Sequence, residues 1–166
     1  RIILFDYRPG RSGDNARKYL EGYNGYFHTD DFSGYGKLDP NRHCLCWAHA
    51  RRKYVEAETA KQDESSVSLA GEGLGYIREL FKIEKELRGL TPEERKAQRL
   101  EKEKPVLDAY WKWVESSRDK VLPKSKISQA LNYSLTNKEQ LETYLQDGRC
   151  AISNNIAENS IRPFTV

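Results

Sequence analysis

The chain has 166 residues, 32% of them charged and 37% hydrophobic, with a formal net charge of +3. That length carries one domain with a core, or a core plus a subdomain. No run approaches the roughly 20 apolar residues of a membrane helix, and no signal peptide is visible, so the expectation is a soluble, cytoplasmic protein with no membrane partner. The mild basicity permits nucleic-acid binding without demanding it. Three cysteines, an odd number, point to a reducing compartment. The absence of methionine reads as a piece of a longer chain.

Residues 2–7 form a short apolar run of strand type, broken by Arg8-Pro9-Gly10. Ser12 or Asp14 can cap a helix reaching to about Gly22, with Ala16, Tyr19 and Leu20 inward. Tyr26, Phe27, His28 and Thr29 suit a second strand, and Asp30 and Asp31 follow at once. A carboxylate at a buried strand end is costly unless a cation meets it, and a divalent metal is the commonest functional reason to build one. The plainer reading is a polar turn, because Asp is a frequent turn residue. Residues 43–47 read as a third strand, running into a helix over residues 48–57. This alternation predicts an α/β fold of about three strands.

The chain then becomes dense in Glu, Lys, Arg and Leu. Ile77, Leu80, Phe81, Ile83, Glu84 and Leu87 trace an amphipathic helix. Thr91, Pro92 and Glu94 make a strong helix start, as N-cap, first residue and capping-box partner. Pro105 should break or kink that helix, and Leu107, Tyr110, Trp111 and Val114 line its continuation. An antiparallel α-hairpin with a solvated, salt-bridged surface is the expected product. Residues 124–133 form another helix, with Ile127, Ala130 and Leu131 inward. Thr136 should then cap residues 138–146, with Glu139 closing a second capping box and Gly148 as the stop. Asn154 and Asn155 can cap a last helix that holds Glu158. Helices dominate overall, and the chain divides into residues 1–60, a helical insertion over 61–122, and C-terminal helices over 123–166.

Several constellations could carry chemistry. Cys44, Cys46 and His49 are three soft ligands close together, with Cys150 as a distant fourth. A structural zinc site wants four, usually as two separated pairs, and strand cysteines are more often inert core thiols. A Cys46–His49 nucleophile pair lacks an evident residue to orient the imidazole. Arg51, Arg52 and Lys53 form a basic run on the first turns of a helix, and Arg162 is a further phosphate-contact candidate. A run of that kind is usually a solvated face. No glycine-rich phosphate loop is present.

The segments YFHTDDFSGY (residues 26–35), CWAHARRK (46–53) and NNIAENSIRP (154–163) occur in this order. Together they resemble the bacterial transposases of the insertion-sequence sixty-six family, over nearly the entire chain. The resemblance implies a partial ribonuclease-H-like core with a DDE triad, interrupted by a long helical insertion. In it Asp30 is the second acidic residue and Glu158 the third, while the first lies upstream of Arg1. Cys46 and His49 match a Cys-x-x-His motif that follows the second Asp, and Asn154 and Asn155 flank the Glu158 helix. Asp31 stands where the family usually has Gly, and Asn159 where it has Arg. The implied chemistry is DNA cleavage and strand transfer during transposition of an insertion sequence. Mg²⁺ or Mn²⁺ in a two-metal site would be held by Asp30 and Glu158, and phosphates would meet Arg51, Arg52, Lys53 and Arg162. Transposon-end and target DNA are the implied partners, together with a homodimer or higher oligomer. The fragment by itself is expected to be inactive. The alternative from another class is a non-catalytic DNA-binding or dimerisation module of a mobile-element protein.

Overall fold

A computed structural model describes residues 3–60, 68–161 and 163. Helices dominate it. The described sheet has two parallel strands, β1 (Phe27–Thr29) and β2 (His43–Leu45), with Phe27 opposite His43, His28 opposite Cys44 and Thr29 opposite Leu45.

The strand expected over residues 2–7 does not form among the described residues. Residues 3–8 carry no regular structure and are exposed, Leu4 at 73% and Tyr7 at 88%. An apolar run becomes a strand only through a ladder partner, and no described strand pairs with it.

Helix α1 (Gly13–Tyr19) starts at Ser12, whose hydroxyl accepts from the Asp14 N–H. Gly13 is buried against the backbone of Gly34, so close that a Cβ would overlap the Gly34 carbonyl. That contact docks α1 on the 3-10 turn Ser33–Lys37 that follows Asp30.

Beyond β2 the chain enters α2 (Trp47–Thr59), with Trp47, Ala50 and Tyr54 buried. Helices α3 (Leu69–Glu86) and α4 (Pro92–Ser117) form the expected hairpin. Its antiparallel sense shows in the pairs Glu84–Arg99, Tyr76–Tyr110 and Glu72–Trp113. The turn between them uses Gly89 at φ +92°, a conformation that penalises a side chain. The Thr91–Glu94 capping box is present in full. Pro105 does not break α4, which runs continuously through it. Leu107, Tyr110, Trp111 and Val114 are all buried just beyond the proline. Their packing outweighs the loss of one backbone hydrogen bond.

Helix α5 (Lys126–Thr136) begins at Ser125, and α6 (Lys138–Glu142) follows after Asn137 alone. The second capping box is not built. Thr136 is the last residue of α5, and Asn137, at φ −109° and ψ 16°, makes no side-chain cap. A 3-10 turn, Thr143–Gln146, completes this region, and α7 (Asn155–Ile161) ends the described helices.

One apolar core joins these pieces. Trp47 packs edge-on to Tyr110, its ring N–H donating to the Leu141 carbonyl at 2.8 Å. The buried hydroxyls of Tyr54, Tyr110 and Ser134 lie within 2.7–3.0 Å of one another, and Ser134 donates to the Ala130 carbonyl while its oxygen can accept from both tyrosines. Helix α2 packs on both α3 and α5, so the helical hairpin and the strand ends share this core. Among the described residues no helix is long and apolar enough to cross a membrane.

Candidate active-site cleft

Asp30 follows the last residue of β1, and Cys46 follows the last residue of β2. Parallel pairing places both at the same end of the sheet, the carboxyl end, where open α/β sheets place ligands. A cleft of about 1040 Å³ runs along β1 from Gly25 to Asp30 and so includes this end, lined in part by His28, Asp30, Tyr35, Asn154 and Glu158. Asp30 is half-buried, and its Oδ1 accepts from the Phe32 N–H at 3.2 Å. This local turn fixes the carboxylate while Oδ2 has no hydrogen bond among the described residues. Thr29 steadies the same corner: its hydroxyl donates to the Asp30 carbonyl at 2.6 Å and meets His43 Nε2 at 2.7 Å. Asp31 is exposed, sits opposite the side-chain amide of Asn137 at 3.4 Å, and does not line the cleft.

Glu158 stands on α7, at the fourth position of that helix. Its Oε1 lies 3.4 Å from His49 Nε2. Asn154 begins the helix through its backbone carbonyl, which accepts from the N–H groups of Ala157 and Glu158. The expected side-chain cap is not used: Asn154 Oδ1 is buried without a partner among the described residues. Asn155 is exposed.

Arg51 and Arg52 are exposed on α2 and line a smaller, 380 Å³ hollow together with Asn155, Glu158 and Asn159. Lys53 is not part of it. Its ammonium sits 5.7 Å over the Tyr133 ring. Arg162 lies outside the described residues.

The three cysteines are free thiols, and Cys44 and Cys46 are buried. Cys46 Sγ accepts from the Asn154 N–H at 3.4 Å, and His49 is turned to Glu158, so these side chains do not converge as a zinc set. Among the described residues no group of three or more His, Cys, Asp or Glu is placed to hold a metal. The two cleft carboxylates nevertheless have the right chemistry for Mg²⁺ or Mn²⁺. Such ions take one or two hard protein carboxylates and complete their shell with water and substrate phosphates.

His28, Tyr35 and Arg149 also line the cleft, and the sequence reading had not singled them out. Burial lowers the His28 pKa to about 4, against the opposing hydrogen bond to the Leu45 backbone, so the ring is neutral at pH 7. Its Nε2 is buried and unpartnered among the described residues. Spacing could have revealed it, since residues two apart on a strand share a face and His28 precedes Asp30 by two. Burial, and then the Asp30 charge, raise the Tyr35 pKa. Arg149 pairs with Asp147 and holds that carboxyl down to about 2.

The family model described as Transposase IS66 family matches residues 1–166. Three similar proteins of Sinorhizobium fredii (strain NBRC 101917 / NGR234) bear names without a function. Uncharacterized protein y4qI is 31% identical over 99% of this chain and 32% of its own length. Uncharacterized protein y4hP is 34% identical over 92% of this chain and 30% of its own. Uncharacterized protein y4jD is 26% identical over 96% and 32%. The chain thus spans about a third of the length of the curated relatives it matches. No solved structure matches it.

Proposed function

Since the chain belongs to the Transposase IS66 family, we propose that it is part of a DDE catalytic domain of ribonuclease-H-like type. On this reading residues 61–122 are the insertion, and the whole protein cuts and joins DNA in the cytoplasm during transposition. One observation carries it: Asp30 and Glu158, far apart in sequence, line a single cleft, with Asp30 at the carboxyl end of its strand.

Asp30 and Glu158 would hold a divalent ion through the oxygens that protein hydrogen bonds leave open. Such an ion supplies Lewis-acid activation of the attacking and leaving oxygens of an in-line displacement at phosphorus. The chain's own groups do the rest. The Phe32 N–H and His49 orient the two carboxylates. Neutral His28 Nε2 and Asn154 Oδ1 are buried acceptors in residues of the cleft wall, without partners among the described residues. Arg51 and Arg52, free of ion pairs among the described residues, meet the phosphates of DNA passing beside α7.

The test is strand cleavage and joining by the whole protein with Mn²⁺ and transposon-end DNA. Asp30→Ala and Glu158→Ala should each lower the rate more than about a hundredfold, beyond what loss of an outer-shell partner costs. Variants that cut and join as fast as the parent protein would refute the assignment.

A further inference from the structure

Glu158 is carried by an element that does little to place itself. Helix α7 has seven residues and no buried side chain, and so short a helix is not stable alone. The corner between β2 and α2 supplies what α7 lacks. The Trp47 N–H donates to the Ile152 carbonyl at 3.1 Å, Cys46 Sγ accepts from the Asn154 N–H at 3.4 Å, and His49 Nε2 faces Glu158 Oε1 at 3.4 Å. These contacts fall along the incoming segment and end on the carboxylate. The corner itself is rigid, because Cys46 and Trp47 are fully buried. There is also somewhere else for Glu158 to go. Arg51 and Arg52 border it on the side of the smaller hollow, and a carboxylate without its histidine would be drawn toward them.

We propose that Cys46 and His49 are positioning residues that clamp the Asn154–Glu158 segment, His49 holding the Glu158 carboxylate toward the cleft and away from Arg51 and Arg52. The proposal rests on the reading of Glu158 as a cleft carboxylate. It explains why a thiol and an imidazole three residues apart are useful here without a metal or a nucleophile between them. The thiol takes a backbone N–H at the entry to α7, and the imidazole takes the side chain one turn on.

The experiment uses the whole protein and three readouts: amide hydrogen exchange without metal, Mn²⁺ affinity by calorimetry, and cleavage rate. His49→Ala should speed exchange across Asn155–Ile161 several-fold, with α3 and α4 unchanged. It should weaken Mn²⁺ binding about ten- to hundredfold, the range for loss of an outer-shell partner. His49→Gln, whose amide N–H can meet the same carboxylate, should restore both to within a few-fold. Cys46→Ser keeps an acceptor for the Asn154 N–H and should resemble the parent protein, whereas Cys46→Ala should loosen α7. If Cys46→Ala does not fold, the serine and histidine variants decide. Parent-like exchange and Mn²⁺ affinity in His49→Ala would overturn the clamp, as would a His49→Gln variant no better than His49→Ala. Glu158→Ala separates the two ideas. If it is inactive while His49→Ala is parent-like, only the clamp falls; if it binds Mn²⁺ and cuts normally, the site reading falls and the clamp with it.

Discussion

At the residue scale, Arg99 on α4 is fully buried against α3 and the segment leading to α7. It donates to both oxygens of Glu84, at 2.6 and 3.1 Å, and to the carbonyls of Tyr144, Asp147 and Cys150 at 2.8–3.2 Å. Every guanidinium donor therefore has an acceptor, which is what makes a buried charge tolerable. Glu103, beside it, is also fully buried. Its Oε2 accepts from the Tyr144 hydroxyl at 2.6 Å, but Oε1 is unpartnered as long as Glu84 and Glu103 are both ionised. Burial, with the neighbouring Glu84 charge, pushes its pKa up from 4.5 to about 8, so at neutral pH it holds a proton that it can donate to Glu84. Between those values Glu103 binds more protons in the folded chain than in the unfolded one, so its own contribution to stability is fully present below pH 4.5 and is lost as pH rises toward 8. Urea unfolding between pH 6.5 and 8, above the range in which buried His28 works in the opposite sense, should show the decline, and Glu103→Gln should flatten it. An equal slope in both proteins would remove Glu103 as its source. Half of this network was visible in advance, since Glu84 stood in the apolar stripe of α3. Arg99 was not, because its partners come from two distant places along the chain, Glu84 and the stretch from Tyr144 to Cys150.

At the element scale, strong local signals were honoured and weak ones were overridden. The Thr91–Glu94 box was readable because all its atoms lie within one turn. At Thr136 the same letters did not make a box, because Thr136 is the last residue of α5 and Asn137, not the threonine, stands at the start of α6. Pro105 is exposed inside α4 and lacks the N–H that would reach the Glu101 carbonyl. Pro105→Ala should therefore stabilise the protein by about 1–3 kcal/mol, read as a higher urea midpoint at unchanged slope. Loss of stability in that variant would mean the proline shapes the packing of α4 on α3.

At the scale of the whole molecule, the basic run on α2 divides by direction. Arg51 and Arg52 look toward α7, while Lys53 lies over Tyr133 on α5. If DNA crosses the cleft, Arg51→Ala and Arg52→Ala should each weaken binding on all sequences and lower the salt slope of log K by about 1. Lys53→Ala should change it less. Equal effects of all three, measured by fluorescence anisotropy at several salt concentrations, would place the DNA elsewhere.

The helices, the caps at Ser12 and Thr91, the two strands that formed, and the choice of Asp30 and Glu158 as candidate residues were all legible in one dimension. Those signals are local periodicities, or segment patterns that survive in one dimension. It took the folded arrangement to show that residues 3–8 carry no regular structure, that α4 survives its proline, and that His49 faces Glu158. Each of these depends on what lies across space: a ladder partner, a packed core, or a helix arriving from the far end of the chain. The physical reason is the same throughout, since neither pairing nor burial is a property of a residue's neighbours in sequence.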